Sequence, residues 1–177
     1  VAERQQGYFT TKQAYYSGII RTRHRNYVEE GKWTRIKHGI YRLTEFPKSH
    51  ESKYVVWTLW SRKRDEVPQG VISHESALVL HKLIPEEKNT KIHMTVPADF
   101  FRSKPTPDRL IIHKVDLPPE VILHGRGYRL TTVLRSFEDA LRFNAEPTER
   151  MCTAAKNAME QGLLTEEEMQ SSPEYGS

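Results

Sequence analysis

One cysteine in 177 residues, Cys152, leaves no partner for an internal disulfide and no thiolate cluster for a metal, and fits a reducing compartment. On its helical stretch it reads as a small buried apolar residue. No apolar run approaches the roughly 20 residues that cross a bilayer, and the opening VAERQQGYF has no apolar core like that of a signal peptide. A cytoplasmic protein with no membrane partner is therefore expected. No internal repeat is present. The GRG at 125–127 lacks the Lys and Ser or Thr that complete a phosphate-cradling loop, and reads as a hairpin turn. HESAL at 74–78 has Leu78 where a zinc-binding H-E-x-x-H helix places its second histidine. A nuclease would need clustered acids and a lysine around a divalent cation. Asp99, Asp116 and Lys114 are candidates by strand adjacency alone, and their spacing does not argue for such a site.

Residues 7–43 carry the strongest signal that is there. Thr10 or Thr11 can cap a helix that Gly18 ends, and a second helix over 21–30 stops at Gly31. Ile20, His24, Tyr27 and Val28 share one face of that second helix and are expected to be buried, although His24 stands where an aliphatic residue is usual. Thr22, Arg25 and Asn26 point the other way, with Arg21 and Arg23 on the flanks. Trp33–Ile36 and Ile40–Leu43 then read as two strands joined through Lys37, His38 and Gly39. Two helices and then a ribbon make a winged helix-turn-helix, which lays its second helix in the major groove, where Arg and Asn pair with guanine and adenine edges. The expected DNA-binding residues are Arg21, Thr22, Arg23, Arg25, Asn26, Arg35, Lys37 and His38.

Charge supports this reading. Residues 1–48 hold ten Lys or Arg against four acids, a balance of +6, whereas the remainder holds 17 against 19. A basic module joined to a near-neutral one suits a phosphate-binding reader attached to a second function. The boundary is placed at residues 48/49, within TEFPKSHES, where Pro47 interrupts any strand. The second domain, 49–177, reads as a small mixed α/β fold. It has a helix over 53–60 capped by Ser49 or Ser52, a polar loop, a helix over 72–83 capped by Ser73 and closed by Pro85, and strands over 92–96, 110–115 and 128–131. Residues 121–124 form a short extended piece. Further helices run from Thr132 to Phe143 and from Pro147 to about Gly162, with a turn from Thr165 before a frayed tail. The class is α+β. The start on Val1 rather than Met fits a trimmed N-terminus in which Ala2–Gln6 is the end of a first helix.

Taken in order, ERQQGYFTTKQA, GKWTRIKHGIYRL, VISHESALVLHKL, KIHMTVP, LIIHKVDLP and TTVLRSFEDAL resemble the AbiEi family of bacterial antitoxins and transcriptional regulators, the antitoxin half of type IV toxin–antitoxin systems. The resemblance implies a repressor, active in phage defence, that binds double-stranded operator DNA upstream of its own operon through the winged helix. It also implies a C-terminal domain that counters a nucleotidyltransferase-like toxin without requiring a stable complex. No catalytic residue, cofactor or metal is implied. Some longer relatives add a nuclease-like domain, for which this chain leaves no room. The alternatives are a winged-helix regulator or protein-binding module without antitoxin activity, and a metal-dependent nuclease. His74 and His81 lie seven apart on one expected helix, and His93 and His113 on neighbouring strands. They are assigned capping or packing roles rather than ligation. No stretch marks a dimer seam.

Overall fold

The structure, a computed structural model, describes residues 1–144 and 146–171, so the expected frayed tail lies outside the described residues. The chain forms two compact units, residues 1–70 with 124–128, and the rest. The division expected at 48/49 falls inside the first unit, because the helix just after it packs on the winged-helix sheet.

In the first unit a 3₁₀ turn over Ala2–Gln5 leads into β1 (Tyr8–Thr10), then α1 (Thr11–Tyr16), α2 (Arg21–Glu29), β2 (Trp33–Lys37) and β3 (Ile40–Leu43). Thr10 closes a reciprocal cap: its hydroxyl accepts from the Gln13 N–H, and the Gln13 side chain accepts from the Thr10 N–H. β1, not among the strands read from the sequence, pairs antiparallel with β3 and makes the ribbon a three-stranded sheet of order β1-β3-β2. Trp33 lies at the centre. Its ring sits 4.7 Å from Phe9, 4.9 Å from Tyr27 and 5.2 Å from His24, with Tyr41 at 5.6 Å. Burying an aromatic of this size contributes about 1.5–3 kcal/mol. α3 (Ser52–Trp60) is buried along most of its length and packs against β1 and β3. Its N-cap is Glu51 rather than Ser49 or Ser52, and no side chain caps it.

The second unit has a mixed five-stranded sheet of order β6-β5-β4-β8-β7. Its strands are β4 (Val71–Ile72), β5 (Ile92–Val96), β6 (Leu110–Lys114), β7 (Ile122–His124) and β8 (Arg129–Thr131). The helix expected over 72–83 is corrected: Val71 and Ile72 pair with Thr95 and Met94, so α4 spans only His74–Leu80 and ends well before Pro85. α5 (Val133–Asn144) packs on α4, and α6 (Glu149–Glu160), capped by Thr148, packs on α5. α7 (Glu166–Ser171) comes last among the described residues. Leu78, Leu83, Phe137, Ala154, Ala158 and Leu164 form the core. Cys152, expected to be buried, is exposed on α6. The buried positions of that helix are Met151, Ala154 and Ala158, and Cys152 lies off their stripe.

Residues 124–128 belong to the first unit through close contact. Gln6 Nε2 donates to the Arg126 carbonyl at 2.9 Å, and Gly127, at φ +87, leaves only 2.8 Å between an added Cβ and the Gln5 backbone. Gly127→Ala would therefore combine left-handed strain with a backbone clash, and is expected to cost about 2–4 kcal/mol in urea unfolding.

His81, on the turn after α4, donates from Nε2 to the Thr131 carbonyl at 2.8 Å. Burial pushes its imidazole below 6.5, partly opposed by that bond. The unfolded chain then takes up a proton at a higher pH than the native one. His81 is expected to lower stability as pH falls below about 6.5, by up to about 1.4 kcal/mol per pH unit. Comparing the pH dependence of urea unfolding in the parent and His81→Gln should show a shallower acid slope in the variant.

Candidate nucleic-acid interface

α2 depends on which of its faces Trp33 can hold. His24 is 4% exposed, and its Nε2 donates to the Ile19 carbonyl at 3.3 Å, which satisfies the polar atom that an aliphatic residue would lack. The ring also packs edge-on to Tyr41 at 5.8 Å. Tyr27 and Val28 are half-buried on the same side. Ile20, expected with them, is 54% exposed because it is the N-cap, in extended conformation, and stands outside the helical stripe.

The opposite face is open. Arg21, Thr22, Arg23, Arg25 and Asn26 are all exposed, as are Arg35 on β2 and His38 in the turn. Arg21, Arg25, Arg35 and His38 line one cleft between α2 and the wing, while Thr22, Arg23 and Asn26 lie outside it. Glu29, absent from the expected set, lines the same cleft and holds Arg25 Nε at 2.6 Å. An (i, i+4) acid beside an arginine is visible in the sequence, and the pair is solvent-exposed, so its contribution to stability is small, about 0.3–0.5 kcal/mol.

Lys37 is placed differently from its neighbours. It is half-buried, with its ammonium 4.2 Å from the Trp57 ring centroid on α3, and a bulge between Arg35 and Lys37 turns it there. Arg42 is likewise turned inward, donating from Nη1 to the Phe46 carbonyl at 2.8 Å. Of Arg35, Lys37 and Arg42, only Arg35 thus faces outward from the wing, on the same cleft as His38. Counted over the compact units, charge separates further than over residues 1–48: fifteen Lys or Arg against seven acids in the first, twelve against sixteen in the second.

The second unit holds a cluster of a different kind. β5 and β6 run parallel, with His93 opposite Ile111 and Thr95 opposite His113, so His93 and His113 lie diagonally on one sheet face. Their Nδ1 and Nε2 atoms are 3.0 Å apart. His74 joins them, its ring stacked 3.7 Å from His113 and 5.1 Å from His93, and Phe143 on α5 presents itself edge-on to all three. His81 is not among them. Burial holds all three imidazoles below their ordinary value, His93 at about 4, and the neighbouring rings lower His74 and His93 further. They are neutral at physiological pH. Sequence spacing groups His74 with His81 on one helix, and only the short strand β4 reveals its true companions.

No helix among the described residues is long and apolar enough to cross a membrane. No curated protein matches the chain. Residues 1–44, which include the whole helix-turn-helix and its ribbon, match the family described as transcriptional regulator, AbiEi antitoxin. The match covers 44 of the 177 residues, and over that stretch the winged helix-turn-helix of this α+β chain is similar to that of the AbiEi antitoxin transcriptional regulators.

Proposed function

We propose that the first unit binds double-stranded operator DNA and represses the operon that encodes it, while the chain also counters a nucleotidyltransferase-like toxin without a stable complex. The observation that carries this reading is the exposed basic face of α2, with Arg35 and His38 across the cleft, on a segment that matches antitoxin regulators. In it, Arg25 and Asn26 read base edges, Arg21, Thr22 and Arg23 hold the flanking backbone, and Arg35 and His38 contact phosphates from the wing. Lys37 contributes through the field of the wing more than through direct contact, since it rests on Trp57. No enzymatic step, cofactor or membrane partner is assigned to this function, and the site of action is the cytoplasm.

A second reading, a winged helix serving as a protein contact, is favoured by Tyr15, Tyr16 and Ile20, which are 61%, 74% and 54% exposed beside α2. Salt separates the two. DNA binding through three to five phosphates gives a log–log salt slope of about −3 to −5, measured by fluorescence anisotropy on DNA from upstream of the operon. A flat dependence would favour the protein contact.

Arg25→Ala or Asn26→Ala should weaken specific binding by about 1–3 kcal/mol while leaving random DNA less affected. Arg35→Ala should weaken both alike. Equal losses for all three would remove α2 as the reading helix. Glu29→Gln deletes a negative charge from the cleft and should tighten binding to any sequence by roughly fivefold, the equivalent of about 1 kcal/mol. For the antitoxin half, the neighbouring gene is expressed with the full chain or with its Arg25→Ala, Asn26→Ala double variant. Rescue of growth by both assigns antitoxicity outside the DNA-reading face.

A further inference from the structure

We propose that His74, His93 and His113 form a three-histidine site for a divalent transition-metal ion of the zinc class, joining the start of α4 to the parallel pair β5–β6. The site is independent of the DNA-binding reading, since all three ligands belong to the second unit.

Three observations converge on it. The first is the donor set. One ring nitrogen from each histidine lies within 4.8 Å of the others, and the closest pair, His93 Nδ1 and His113 Nε2, is 3.0 Å apart. A tetrahedral ion with Zn–N bonds of 2.0–2.1 Å sets its ligand nitrogens about 3.3 Å apart, so the 3.0 Å pair opens slightly and the wider separations, up to 4.8 Å, close by as much as about 1.5 Å through side-chain rotation. The rings of His74 and His113 are stacked 18° from parallel, and binding an ion would require them to tilt so that both nitrogens point at it. Three imidazoles leave a fourth position for water, and this nitrogen-only set suits Zn, Cu, Ni or Fe better than Mg or Ca.

The second is orientation. Ser73 stands at the N-cap of α4, yet its hydroxyl makes no capping bond. Instead it accepts from Thr95 Oγ1 at 2.8 Å and lies 2.9 Å from His74 Nδ1. With Nδ1–H donating to Ser73 Oγ, the Nε2 lone pair of His74 is left for the ion, which is how a ligating histidine is ordinarily held by its outer partner. Ser73 and Thr95 are buried, and Ser73 here is a positioning residue.

The third is strain. His74 has φ +55, a left-handed backbone that costs a non-glycine residue energy and persists only where its surroundings impose it. Here it turns the 5%-exposed imidazole onto His113. Phe143, perpendicular to all three rings and half-exposed, walls the cluster on the side of α5.

The test uses the tag-free full chain, stripped with chelator, and titrated with Zn²⁺ by calorimetry and with Co²⁺ by visible absorption. One ion per chain, a tetrahedral Co²⁺ spectrum and a rise in Tm on adding Zn²⁺ are expected. His93→Gln and His113→Gln keep a polar side chain at half-buried positions and should abolish stoichiometric binding with the far-UV spectrum unchanged. Ser73→Ala should weaken it about tenfold or more through loss of orientation. Cys152→Ser and His124→Ala, remote from the cluster in sequence, should leave it intact. Failure of the parent chain to bind one ion, or undiminished binding in both glutamine variants, overturns the proposal and leaves a hydrogen-bonded packing cluster.

Discussion

The burial of Trp33 is the constraint on which the first unit depends. Its indole is met by Phe9 from β1, His24 and Tyr27 from α2, and Tyr41 from β3, so one side chain ties together every layer of the winged helix. Rotating α2 by one residue would take His24 and Tyr27 off that ring and bury an arginine in their place. The cost of an unpaired buried guanidinium, several kcal/mol, makes the observed rotation the only tolerable one. The basic face is thus exposed because the aromatic face cannot be.

The same logic distributes the cations of the ribbon. Arg42 and Lys37 serve the protein, one bonded to a carbonyl and the other resting on an indole, and of these cations only Arg35 is left facing the cleft beside α2, together with the His38 imidazole. Net charge therefore overstates how much of the wing faces outward. Glu29 tempers it further by holding Arg25 before any partner arrives. A surface built this way pre-orients Arg25 while lowering the overall attraction for polyanions.

The amino-acid sequence makes legible those features that are decided locally. The Thr10 cap, the stop at Gly18 and the stripe of His24, Tyr27 and Val28 each depend on residues within one or two turns, and each is found as read. β1 is not legible as a strand, because Tyr8–Thr10 becomes one only by pairing with residues some thirty positions later. Val71 and Ile72 extend the apolar pattern of α4 backwards, and nothing in their own identity announces a two-residue strand. The histidine cluster escapes sequence reasoning on similar grounds: His93 and His113 can be placed on adjacent strands, but His74 reaches them through a backbone conformation that no propensity predicts. Cys152 defeats a burial assignment because a small apolar residue suits either side of a helix.

The docking of residues 124–128 against Gln5 and Gln6 makes the first unit discontinuous in sequence. Gln6 is buried with both ends of its amide committed, the nitrogen to the Arg126 carbonyl and the oxygen to the Ser49 hydroxyl. During synthesis, the N-terminal winged helix emerges from the ribosome complete in its helices and ribbon, which end at Leu43, yet with half of that commitment unmet until Arg126 has been added. A nascent or prematurely terminated chain therefore carries a winged helix less stable than the finished one, which couples the maturity of the N-terminal unit to the translation of most of the chain that follows it.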